Sequence, residues 1–79
     1  MLRLRYLRQE RKLTQKQVAD LLNVSQETYS RYENKVIKIP LNSLTVLAEF
    51  YETSTDYILG LTDERKPYKN VVSSKKNAF

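Results

Sequence analysis

Neither cysteine nor histidine occurs among the 79 residues, so neither a disulfide nor a Cys/His zinc site can brace this chain. A packed apolar core has to hold it unaided. A chain of this size buries about two-thirds of the surface that its unfolded form exposes, enough for one domain and no more. The only glycine is Gly60 and the only prolines are Pro40 and Pro67, which leaves long stretches free to be helical. No run alternates apolar and polar residues in the manner of a strand, so the expected class is all-α. No apolar stretch approaches the roughly 18 residues of a membrane span. The segment Met1 to Lys12 is charged and lacks the apolar centre of a secretory leader. The expectation is a soluble, cytoplasmic protein with no membrane partner.

Periodicity and capping residues divide residues 2 to 60 into five helices. Leu4 and Leu7 stand three apart among Arg3, Arg5, Arg8, Arg11 and Lys12, which predicts an amphipathic helix over about 2 to 12. Thr14, followed three residues later by Gln17, has the form of a capping box opening a short second helix that carries Val18, Ala19, Leu21 and Leu22. Asn23 breaks that pattern and tolerates the positive φ of a tight turn. Ser25 then caps a third helix running to about Asn34, with Tyr29 and Tyr32 on one face. Beyond Pro40, Leu44, Leu47, Ala48 and Tyr51 mark the inner face of a fourth. Ser54 or Thr55 starts a fifth through Tyr57 and Ile58, and Gly60 closes it. The domain is thus expected to span residues 1–62. Residues 63–79 read as a basic, disordered tail, whose Lys66, Lys69, Lys75 and Lys76 leave open whether it tracks phosphate, reinforces pairing of two chains or does neither.

The charge is unevenly spread. Residues 1 to 38 hold Arg3, Arg5, Arg8, Arg11, Lys12, Lys16, Arg31, Lys35 and Lys38 against four acids, Glu10, Asp20, Glu27 and Glu33. Residues 39 to 60 hold Glu49, Glu52 and Asp56 and no base. This is the pattern of a domain whose first half faces a polyanion while its second half faces away. Enzymatic work has little to stand on. There is no His or Cys nucleophile, no glycine-rich phosphate loop, and no pairing logic for Glu10 with Glu27 or Glu49 with Glu52. No cofactor or metal is expected.

The run from Thr14 to Asn34, TQKQVADLLNVSQETYSRYEN, is where the function-bearing chemistry concentrates. Two helices crossing through a tight turn require a small residue at the contact, a turn residue that accepts left-handed geometry, and apolar residues that lock the crossing. Ala19, Asn23, and then Val18, Leu22, Val24, Tyr29 and Tyr32 meet those needs in order. The outward face of the third helix is Gln26, Glu27, Ser30 and Arg31. These side chains suit base edges in a major groove: glutamine binds adenine, glutamate accepts from cytosine N4, and arginine forks onto guanine O6 and N7. Arg31 is the strongest single candidate. Lys16, Ser25, Thr28, Asn34, Lys35 and Lys38 are candidates for the phosphate backbone. The tyrosines at 29, 32 and 51 have core spacing and no strand platform on which to stack single-stranded bases.

With its flanking pieces, LRQERKLTQKQVA, RYEN, IP, LAEFY and STDYILGLT, the chain resembles the lambda-repressor and Cro class of helix-turn-helix proteins, the Xre type, over about residues 2 to 62. That resemblance implies a five-helix lambda-repressor-like DNA-binding domain, and a transcriptional regulator, in the first instance a repressor on a palindromic operator in double-stranded DNA. It further implies that Gln15 anchors on a phosphate and braces the recognition helix, and that Arg8 and Glu33 form an internal ion pair. The class commonly pairs into a homodimer through the end of helix four and helix five. It commonly has glycine where this chain has Lys35, so Asn34 is expected to absorb the left-handed turn instead. It commonly has an aliphatic residue where this chain has Tyr29, whose hydroxyl is then expected near the DNA backbone. The alternative from another class is a helical module that binds a protein partner, antitoxin-like, with little specific DNA binding.

Overall fold

In a computed structural model, which describes residues 2–66, the chain folds into α1 (Leu4–Glu10), α2 (Gln15–Leu22), α3 (Gln26–Glu33), α4 (Leu41–Phe50) and α5 (Thr55–Leu59). There are no strands among the described residues. The helix starts follow the capping chemistry. At α2, Gln17 N–H donates to Thr14 Oγ1 at 3.1 Å and Thr14 N–H donates to Gln17 Oε1 at 2.8 Å, closing the capping box in both directions. Ser25 Oγ accepts from Thr28 N–H at 3.1 Å, and Ser54 Oγ, rather than Thr55, accepts from Tyr57 N–H at 3.0 Å.

The helix ends share one device. Each of the five helices is closed by a residue with positive φ at its C-cap or one residue beyond: Lys12 (58°), Asn23 (59°), Lys35 (62°), Glu52 (56°) and Gly60 (80°). This trims α1 relative to the 2-to-12 expectation. Lys12 turns left-handed, while at the other end Arg3 N–H is engaged by Ile58 C=O of α5 at 2.8 Å instead of lying inside a helix. It also corrects the expectation for α3, since Asn34 keeps φ at −89° and Lys35 itself takes the left-handed geometry. The Asn34 side chain is occupied otherwise, accepting from Arg5 Nη2 at 2.9 Å and donating to Ser30 Oγ at 3.4 Å.

Leu4 and Leu7 of α1, Val18 and Ala19 of α2, Tyr29 and Tyr32 of α3, Leu44, Leu47 and Ala48 of α4, Tyr51, and Tyr57 and Ile58 of α5 form one buried cluster. Its apolar residues each contribute about 1.5–3 kcal/mol where the burial is complete, as for Leu4, Leu7, Leu47 and Ile58. Phe50 and Leu59 are only partly covered. Residues 61–66 turn back over α1. The Arg3 guanidinium donates to Tyr57 C=O and Thr62 C=O and pairs with Asp63 at 2.8 Å, and Arg65 pairs with Glu10. The rest of the sequence-assigned tail, from residue 67, lies outside the described residues. No described helix is long and apolar enough to cross a membrane.

Candidate nucleic-acid interface

The α2–α3 unit is held from behind by a buried carboxylate. Glu33, near the C-terminal end of α3, accepts from Arg8 Nε at 2.6 Å and Arg8 Nη2 at 3.2 Å, and from Gln15 Nε2 at 3.2 Å. Arg8 also donates to Leu13 C=O, at 2.9 Å. One carboxylate therefore ties α1, the start of α2 and the end of α3 together. The Glu33 side chain is wholly buried and that of Arg8 is 13 % exposed. Burial alone would raise the carboxyl pKa, but the side-chain interactions with Arg8 first, then Tyr29 and Gln15, outweigh it and hold Glu33 below its ordinary range. The expected Arg8–Glu33 pair is present, and the expected bracing by Gln15 runs to this carboxylate.

In front of the carboxylate, Gln15, Gln26, Glu27, Ser30 and Arg31 line one shallow depression between the N-terminus of α2 and the outer face of α3. All four residues expected on base edges therefore share a surface with Gln15, one of the seven residues expected on phosphate. Gln26, Glu27 and Arg31 are exposed, and Ser30 and Gln15 are partly so. Arg31 Nη2 meets Glu27 Oε2 at 2.9 Å, one helical turn away.

The remaining candidates are distributed unevenly around this face. Lys16 is exposed and within 3.6 Å of Asp20. The Ser25 hydroxyl donates to Thr28 Oγ1 at 3.0 Å while accepting its capping bond, so these two hydroxyls are engaged with each other. Asn34, Lys35 and Lys38 are exposed past the end of α3. Arg5 was not singled out by sequence. It is 55 % exposed in its side chain, donates to Asn34, and lies 3.4 Å from Glu33. Its spacing of three from Arg8 on one helix was the available signal.

Tyr29 corrects an expectation. Its residue exposure is 0 %, and its hydroxyl is buried beside Glu33 without a well-formed hydrogen bond, so it does not emerge near a DNA backbone. Burial first, and then the side-chain and charge interactions with Glu33, push its pKa above the usual tyrosine range. Tyr51 is buried likewise, and burial pushes its hydroxyl up to about 12.

A helix crossing a helix through a left-handed Asn23, locked by a buried Ala19 and presenting a polar outer face, is the architecture of a helix-turn-helix domain. The model of the helix-turn-helix family matches residues 4–58, and the chain belongs to that family, in its Xre (lambda-repressor and Cro) type. It is similar to three proteins of Bacillus subtilis (strain 168). It is 46% identical over 65 residues to the uncharacterized HTH-type transcriptional regulator YobD, covering 82% of this chain and 58% of that one. It is 36% identical over 64 residues to the HTH-type transcriptional regulator ImmR, covering 81% and 50%. It is 31% identical over 64 residues to the HTH-type transcriptional regulator AnsR, covering 81% and 55%. The chain thus spans about half the length of these relatives, from 50% to 58%. No solved structure gives a significant match.

Proposed function

We propose that this chain binds double-stranded DNA sequence-specifically as a transcriptional regulator, with α3 lying in the major groove and α2 crossing the backbone. The observation that carries the reading is the gathering of Gln15, Gln26, Glu27, Ser30 and Arg31 around one depression on the outer face of the α2–α3 unit. Gln26, Glu27, Ser30 and Arg31 face base edges. Gln15, Lys16, Ser25, Thr28, Asn34, Lys35 and Lys38 face phosphates, with Ser25 and Thr28 working through the cap they share. The names of the relatives point the same way, as do the helix N-termini of α2 and α3, whose free N–H groups and dipoles suit phosphate.

Repression is the natural outcome of a domain that occupies an operator. One such unit covers few base pairs, so two copies on a palindrome, with half-sites about one duplex turn apart, supply the affinity. The partly covered Phe50 and Leu59, and Leu61 at 73% exposure, lie on or next to the end of α4 and α5, the place of the proposed homodimer contact. Such a protein works where the DNA is, in the cytoplasm.

The test compares wild type, Arg31→Ala and Lys38→Ala on a preferred duplex and on a mixed-sequence pool. Arg31→Ala is expected to cost about 1–3 kcal/mol on the preferred duplex alone. Lys38→Ala is expected to weaken both nearly equally and to reduce the salt slope by about one. Equal losses from both changes on both duplexes would defeat the assignment of roles. Weak binding without preference, unaffected by Arg31→Ala, would move the function to a protein partner.

A further inference from the structure

The recognition face contains one preformed charge pair, and it involves the residue with most to say about sequence. Glu27 stands in the first turn of α3 and Arg31 in its last, the order in which an i, i+4 acid–base pair also agrees with the helix dipole. Both side chains are on the outer surface, at 75% and 50% exposure, and their 2.9 Å contact lies on the rim of the depression that Gln15 and Gln26 complete. An unpaired carboxylate brought into a groove between two phosphate strands is repelled by them. Paired with Arg31, it enters as half of a neutral unit.

Guanidinium has five N–H donors in a rigid plane, and one hydrogen bond from Nη2 to Glu27 leaves a complete two-donor edge. That edge is what guanine O6 and N7 require. A free arginine has many rotamers to give up on binding, and a partner that holds the plane beforehand removes part of that cost. We infer that Glu27 is a positioning residue: it holds the Arg31 fork for guanine and does not itself read a cytosine. The inference rests on the reading that α3 enters the groove, and replaces the direct base contact otherwise assigned to Glu27.

The experiment selects binding sites from a random duplex library with wild type, Glu27→Ala, Glu27→Gln, Arg31→Ala and the double variant, then measures the preference at each base pair. Arg31→Ala is expected to erase a guanine preference of about fivefold to 150-fold at one pair per half-site. Glu27→Ala and Glu27→Gln are expected to weaken that same preference by about twofold to fivefold, and the double variant to match Arg31→Ala there. Mixed-sequence binding by the Glu27 variants is expected to strengthen, since a negative charge has gone. A Glu27 variant that changes the preference at a different pair, or leaves the Arg31-dependent pair untouched, overturns the inference and leaves the groove reading standing. No change from Arg31→Ala at any pair overturns both.

Discussion

Lys35 holds a backbone angle that its side chain makes expensive. A residue with a Cβ loses roughly 1–2 kcal/mol in the left-handed region, and glycine gives back about 0.5–1 kcal/mol of that through its looser unfolded chain. Lys35→Gly is therefore expected to stabilise the domain by about 0.5–1 kcal/mol in denaturant unfolding. The same change is expected to weaken binding to all duplexes alike, because it removes a proposed phosphate contact. A loss of stability would show that the lysine side chain has a structural partner. Tyr29 carries a different cost, a buried hydroxyl that lies beside the Glu33 carboxylate without a well-formed hydrogen bond. Tyr29→Phe is expected to leave DNA affinity unchanged and to change stability by no more than about 1 kcal/mol in either direction. A loss of more than that would mean that the hydroxyl is satisfied in solution. Neither feature was readable from the local pattern. Asn34 is the better left-handed residue, but its amide is committed to Arg5 and Ser30, and only the folded chain brings Arg5 there. The helical spacing of Tyr29 put its ring in the core, while the surroundings of its hydroxyl depend on where the folded chain places Glu33, Tyr51 and Arg8.

At the scale of the elements, the arrangement of α1, α2 and α3 hangs on Glu33. Removing its charge strands Arg8, which is nearly buried, so Glu33→Gln is expected to cost about 3 kcal/mol. The pH dependence has a definite sign. Glu33 is depressed in the folded state below its ordinary value of 4.5, so its contribution is fully present above that pH and is lost as pH falls through the folded value. Glu10, lowered by its hydrogen bond with Arg65, acts in the same direction. Thermal melting is expected to be flat from pH 7 down to about 5 and to fall below about 4.5, with a shallower fall in Glu33→Gln. An identical acid slope in that variant would take Glu33 out of the account. The elements were legible in the sequence because each carries its own punctuation: Thr14 with Gln17, Ser25, Asn23, Ser54 and Gly60 are chemical signals within a turn of the bonds they make. The return of residues 61–66 over α1 was not. It depends on Arg3 meeting Asp63 and Glu10 meeting Arg65, pairs about sixty and fifty-five positions apart that no periodicity reveals.

For the whole molecule, the uneven charge along the sequence corresponds to a division between elements. The α2–α3 unit and the following loop carry Lys16, Arg31, Lys35 and Lys38 at the surface, while α4 and the turn after it carry the exposed Glu49 and Glu52. A duplex approaching the α2–α3 side meets these four cations, and binding should weaken steeply with salt. The base-reading face was legible as a set, since Gln26, Glu27, Ser30 and Arg31 fall on one side of any helix starting at Ser25. The contact between Glu27 and Arg31 had its signal in their i, i+4 spacing. The central claim, that two copies of this domain read a symmetric site, is tested most directly by selecting sites from a random duplex library at near-physiological salt. The account predicts enrichment of an inverted repeat whose half-sites are centred about 10 base pairs apart. Retention of DNA that is salt-sensitive but shows no enriched sequence would contradict it.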